Sequence, residues 1–176
     1  MRRQIHYSSK PCLWAMIAML STAAPALGQI VSNWQLDEPV GTVGAGSVVD
    51  SVSGFNGTPT GVVTFGAPGA TAQTGTSASF AGAGSIDVPH TAALNPASFT
   101  VTGWANIDAG SSGFRSVVTS RNSTATFQGY ILYAGGNNNH MQFWTGGGAG
   151  WNVLTGPPQT DGAWNHYALS YDAGTG

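Results

Sequence analysis

Charge is scarce in this sequence. Five Lys and Arg and seven Asp and Glu occur among 176 residues, and three of the cations, Arg2, Arg3 and Lys10, stand at the extreme N-terminus. Beyond residue 28 only Arg115 and Arg121 oppose the seven acids, a net charge of −5. A chain so poor in cations has no basic patch with which to neutralise phosphates, so nucleic acid is excluded as a natural partner. Cysteine is as rare: Cys12 is the only one. No intrachain disulfide can form, and there is no thiol nucleophile beyond the leader. Apolar runs long enough to span a membrane, about 20 residues, are absent. Helical spacing of apolar residues is missing too, because the 26 glycines and nine prolines interrupt almost every window of ten.

Catalytic equipment is equally thin. Glycoside hydrolysis generally needs two facing carboxylates, yet Glu38 is the only glutamate, and no two carboxyls stand at i, i+2 or i, i+4. Neither a G-x-S-x-G elbow nor an H-E-x-x-H helix occurs. The residues therefore point away from an enzyme.

The N-terminus has the layout of a secretory signal peptide. Its cations precede the short apolar stretch CLWAMIAML (Cys12 to Leu20), and the small residues of AAPALG follow. Cleavage near Ala26 to Gly28 satisfies the small-x-small rule. Removing the first 28 residues leaves 148, enough for one domain with its own core. The expected product is secreted, extracellular or at the cell surface, with no membrane span within the given sequence.

What the mature chain does have is glycine turns and period-two alternation. In SFTVTGWANI, Phe99, Val101, Ala105 and Ile107 share one face, and Thr100, Thr102, Trp104 and Asn106 the other. Further strands are expected at Ile30 to Leu36, Gly61 to Phe65, Ser77 to Phe80, Ser85 to Val88, Arg115 to Ser120, Gln128 to Ala134, His140 to Thr145 and Ala163 to Tyr171. Turn-formers such as SGFNG, AGAG, AGGNNN and GGGAG separate them, and Gly66 to Gly75 reads as a surface loop. Nine short strands with an aromatic content of 10% predict an all-β sandwich or barrel.

The order of landmarks is more specific than the composition. NWQLDEPVGT is followed by VVDSVSGFNGT, ASFAGAGSIDVPHTAAL, SFTVTGWANI, GYILY and AWNHYALSYD. This series resembles the laminin-G-like jelly-roll domains of the concanavalin A-like lectin/glucanase superfamily. The matching positions are Trp34 to Glu38, Asp50 to Thr58, Phe80 to Pro89, Phe99 to Trp104 and Trp164 to Asp172. The resemblance implies an all-β, concanavalin A-like jelly-roll sandwich of two antiparallel sheets over residues 29–176. The family pattern continues past Tyr-Asp into further strands, so the resemblance also implies a jelly roll lacking its last strands. It further implies a possible structural Ca2+, held through the acidic positions Asp37, Asp50 and Asp172. No cofactor is otherwise required.

Sugar recognition uses aromatic faces and planar amides. NNNHMQFWTGGGAGWN concentrates both, and Asn137, Asn138, Asn139, His140, Trp151 and Asn152 are the candidate ligand-binding residues. Phe143 and Trp144 are read as core, and Trp151 as open to either role. Trp34, Trp104, Phe80 and Phe99 are read as packing residues, His90 as a solvated loop residue, and His166 as a hydrogen-bonded core residue on a centrally sandwiched strand. The expected function is a secreted, non-catalytic module of a larger extracellular protein that binds a glycan or surface polymer. The alternatives are a structural or adhesive domain that contacts protein partners, and a glucanase relative whose acids lie beyond Gly176.

Overall fold

The computed structural model describes residues 28–109, 113–121, 127–135 and 139–175. It is an all-β, antiparallel jelly-roll sandwich with eight strands among these residues. They are β1 (Thr58–Pro68), β2 (Thr76–Asp87), β3 (Ser98–Asn106), β4 (Arg115–Arg121), β5 (Gln128–Ala134), β6 (His140–Gly147), β7 (Trp151–Pro158) and β8 (Trp164–Asp172). The signal-peptide reading falls on residues 1–27, outside those described.

β3 and β8 form a two-stranded layer that lies on the four-stranded sheet β4-β5-β6-β7. Strict alternation drives the packing. Tyr130, Leu132 and Ala134 of β5, Phe143 of β6, and Tyr167 and Leu169 of β8 are buried together. Phe99, Val101 and Ala105 of β3 close over them, with the Phe99 ring 4.6 Å from that of Tyr130. One buried polar network spans this core. The Tyr167 hydroxyl donates to Gln159 Oε1 at 2.8 Å, and Gln159 Nε2 donates to Asn139 Oδ1 and Asp161 Oδ1. Burial, with the nearby Asp161 charge, pushes the Tyr167 phenol above its ordinary pKa.

β1 and β2 form a separate long hairpin. The expected strands Ser77 to Phe80 and Ser85 to Val88 are one strand, and AGAG is a bulge within it rather than a turn. Thr60 pairs with Ser85 and Val62 with Ala81, so one residue of β1, Gly61, opposes three of β2, Gly82 to Gly84. Gly82, at φ 58°, takes the left-handed conformation that a bulge can require, and a Cβ on Gly84 would lie 2.3 Å from the Val62 carbonyl oxygen. The Gly66 to Gly75 loop is shorter than expected, since β1 runs to Pro68.

The N-terminal strand Ile30 to Leu36 does not form; only an isolated bridge joins Trp34 to Asp50. Leu36 sits at φ 60°, which no strand can follow. β7, which the turn-rich reading missed, ends in Pro157 and Pro158. Prolines are tolerated there because β7 is an edge strand of its sheet.

Three packing expectations are corrected. Trp104 is 45% exposed, and Phe80 on the hairpin is 48% exposed. His166 is exposed rather than a core residue. The inner face of β3 and β8 is already filled by Phe99, Val101, Tyr167 and Leu169, so residues of the opposite parity must point away from the core. On that outer face Trp104 and His166 are register partners with ring centroids 4.9 Å apart. β8 is therefore not covered on both faces by the described residues.

Candidate functional site: an aromatic sheet face

The four-stranded sheet has bulk on both faces. Pairing places Ile131 opposite Trp144, Trp144 opposite Val153, and Gly146 opposite Trp151, all with parity opposite to the core residues Leu132 and Phe143. Tyr133 shares that outer face. Phe114 approaches it just before β4, and Phe127 just before β5.

The result is a connected strip of five rings. Phe114 lies 4.8 Å from Tyr133 and 5.5 Å from Trp144, and Tyr133 meets Trp144 edge-on at 5.5 Å. Trp144 lies 6.0 Å from Trp151, which meets Phe127 edge-on at 6.0 Å. Tilted and edge-to-face pairs at these separations are mutually attractive and hold the rings in fixed orientation. Ile131, only 1% exposed, lies on the same face, and Trp144 Nε1 donates to Gln142 Oε1 at 3.0 Å, fixing the indole. Phe114 and Phe127 at the two ends are 40% and 43% exposed. Backbone glycine permits the close approach: a Cβ on Gly146 would lie 2.2 Å from the Phe127 carbonyl oxygen and 2.9 Å from Trp151 Cε3.

Of the six residues expected to bind ligand, only Trp151 joins the strip. Asn137 and Asn138 lie outside the described residues. Asn139 and Gln159 bond each other through side chains, and the Asn139 side chain also donates to the Gln159 carbonyl, so Asn139 ties the end of the β6-β7 hairpin. His140 Nδ1 contacts the Gly156 carbonyl oxygen at 2.8 Å. Asn152 has the opposite parity to Trp151, pairs with Thr145, and lines a cavity between the layers. Trp144, expected in the core, is half-buried on the outer face. Phe114, Tyr133 and Phe127 were missed. The signal for Tyr133 was present in YILYA, where bulky residues occupy both parities and so demand cover on both faces.

The acids behave as local locks. Asp50 is buried, and its two oxygens accept from the backbone N–H groups of Asn33, Val52, Ser53 and Phe55 at 2.8–3.2 Å. Burial alone would raise its pKa. The bonds from Asn33, Val52 and Phe55 outweigh that and hold the carboxyl well below the ordinary carboxylate range. Asp172 accepts from Ser98 Oγ and the Gly174 N–H, and its pKa is lowered by those bonds. Among the described residues no three His, Cys, Asp or Glu side chains gather as a metal site. Asp37, Asp50 and Asp172 accordingly do not form one calcium cluster. Among the same residues, no helix is long and apolar enough to cross a membrane.

Comparison with known proteins gives one match. The laminin-G-type family model of the concanavalin A-like lectin/glucanases superfamily matches residues 80–176, a stretch that holds β3 to β8 and all five rings of the strip. No curated protein and no solved structure matches the chain.

Proposed function

Since the chain belongs to the concanavalin A-like lectin/glucanases superfamily, we propose that it is a secreted, non-catalytic binding module whose outer aromatic face holds a glycan or similar hydroxyl-rich polymer. The observation that carries this reading is the five-ring strip from Phe114 to Phe127. Sugar rings have apolar C–H faces that stack on aromatic side chains, while their hydroxyls remain in water or reach neighbouring amides. A strip of fixed rings laid across a sheet suits an extended chain of such units better than one small molecule. Arg115, whose guanidinium donates to the Phe114 carbonyl, is a cation at one end of the strip, and stacking on the rings would supply the rest of the affinity.

A glycan array and affinity electrophoresis against soluble polysaccharides test the reading. Trp144→Ala should abolish retardation by any polysaccharide that slows the wild-type protein. Wild-type protein that no polysaccharide slows, and that gives no array signal, would remove the proposal.

A second reading, a structural or adhesive domain contacting protein partners, draws on the exposed apolar side chains near the N-terminal hairpin, among them Val40, Val43 and Val62. It predicts that Val62→Ser weakens partner capture while the Trp144→Ala variant behaves as wild type.

A further inference from the structure

The inner face of the same β6-β7 hairpin changes character along its length. Inward-pointing positions of β6 run Met141, Phe143, Thr145 and Gly147, so apolar packing stops after Phe143. Thr145 pairs with Asn152 on β7, which places a half-buried hydroxyl beside an exposed amide at the open end of the sandwich. Among the described residues neither side chain has a hydrogen-bond partner. Between the layers at this end lies a half-open cavity of about 320 Å3, lined by Asn95, Phe99, Thr145, Gly147, Asn152 and Tyr171 along with Pro96 and the strand glycines Gly129 and Gly146.

We propose that this cavity binds a single neutral, hydroxyl-rich ring of monosaccharide size, independently of the outer strip. Its volume stands near the lower bound for small-molecule sites, roughly 300 Å3, room for one sugar ring. The lining contains no Asp, Glu, Lys, Arg or His. A charged ligand would lose hydration there without gaining a counter-ion, so the ligand is neutral. Phe99 and Tyr171, with centroids 5.7 Å apart, supply aromatic surface. Asn95 is pre-positioned: its Oδ1 accepts from Ser120 Oγ and its Nδ2 donates to the Thr91 carbonyl at 3.1 Å, leaving one N–H and one lone pair for a ligand. Gly147 keeps the space open. It has no positive φ, and a Cβ there would meet nothing within 4 Å.

That last property supplies the test, because a larger side chain at position 147 fills the cavity without straining the backbone. The purified protein is titrated with the methyl glycosides of glucose, galactose, mannose and N-acetylglucosamine while its amide NMR spectrum is followed. At least one glycoside should give saturable shifts centred on Thr145 and Asn152. Gly147→Leu and Asn152→Ala should each weaken that binding about tenfold or more, the equivalent of one lost hydrogen bond to a ligand. Thr145→Val keeps strand propensity and volume, so it serves should Gly147→Leu fail to fold, and the same loss is expected. Trp144→Ala on the opposite face should leave this binding unchanged. Absence of saturable shifts with all four glycosides, or unaltered binding in Asn152→Ala and Thr145→Val, would overturn the proposal. Either result leaves the outer-strip reading standing.

Discussion

Asp50 shows how one side chain can organise a segment that lacks regular structure. Four backbone N–H groups from both sides of the isolated Trp34–Asp50 bridge converge on its carboxylate. Trp34 completes the lock by donating to the Phe55 carbonyl at 2.9 Å. Asp50→Asn turns an amide NH2 towards N–H donors and should lower stability by about 2 kcal/mol, since bonds to a charged acceptor are worth roughly 1.5–3 kcal/mol. The pH dependence has a defined sign. The carboxyl pKa is depressed on folding, so its contribution is fully present above the unfolded value of about 3.9 and is lost progressively as pH falls from there through the depressed folded value. Urea midpoints measured between about pH 7 and pH 3 should therefore start to fall for the wild type only near about pH 4, narrowing the gap to Asp50→Asn without closing it by about pH 3, because the folded carboxyl is still ionised there. Parallel curves would show that the carboxylate does not carry the effect.

At the scale of elements, the two adjacent glycines that end β6 do different things. Gly146 has outer parity, and a side chain there would strike the Phe127 carbonyl and the Trp151 ring. Gly147 has inner parity and faces open space. Gly146→Ala should cost about 1–3 kcal/mol by overpacking, whereas Gly147→Ala should stay within about 0.5 kcal/mol of wild type. Equal urea midpoints for the two variants would contradict the assigned parity.

This distinction was not legible in GGGAG, which reads as a turn throughout. Alternation alone was enough to locate β3, β5 and β8, and SFTVTGWANI has the facing it promised. Register was not legible, because pairing of β6 with β7 depends on partners far from the local pattern. Nor was β7 itself, and because Trp151 and Asn152 lie on that strand, these neighbours, grouped as one site, stand on opposite faces of the sheet. Trp104 and His166 misled for a related reason. Bulk on both faces of a strand was read as burial of both, although a layer only two strands wide leaves its outer face uncovered by the described residues.

Across the whole molecule, stability should be uneven. The sandwich shares one buried cluster reaching from Tyr130 to Leu169. The β1-β2 hairpin pairs only with itself among the described strands and leaves Val62 and Phe80 exposed. Two-stranded hairpins are marginal in water unless packed on another layer. Hydrogen exchange should therefore release the amides of β1 and β2 well before those of β5 and β6. Simultaneous release would mean that the hairpin and the sandwich unfold as one unit.

The most direct measurement is calorimetric titration of a polysaccharide retained by the wild-type protein against three variants: Trp144→Ala and Trp151→Ala on the outer face, and Asn152→Ala on the inner. Losing a stacking ring in a binding site costs about 1.4 kcal/mol or more, which is tenfold in affinity. The account predicts at least that loss for each tryptophan variant, with Asn152→Ala unchanged. Wild-type affinity in both tryptophan variants would contradict it.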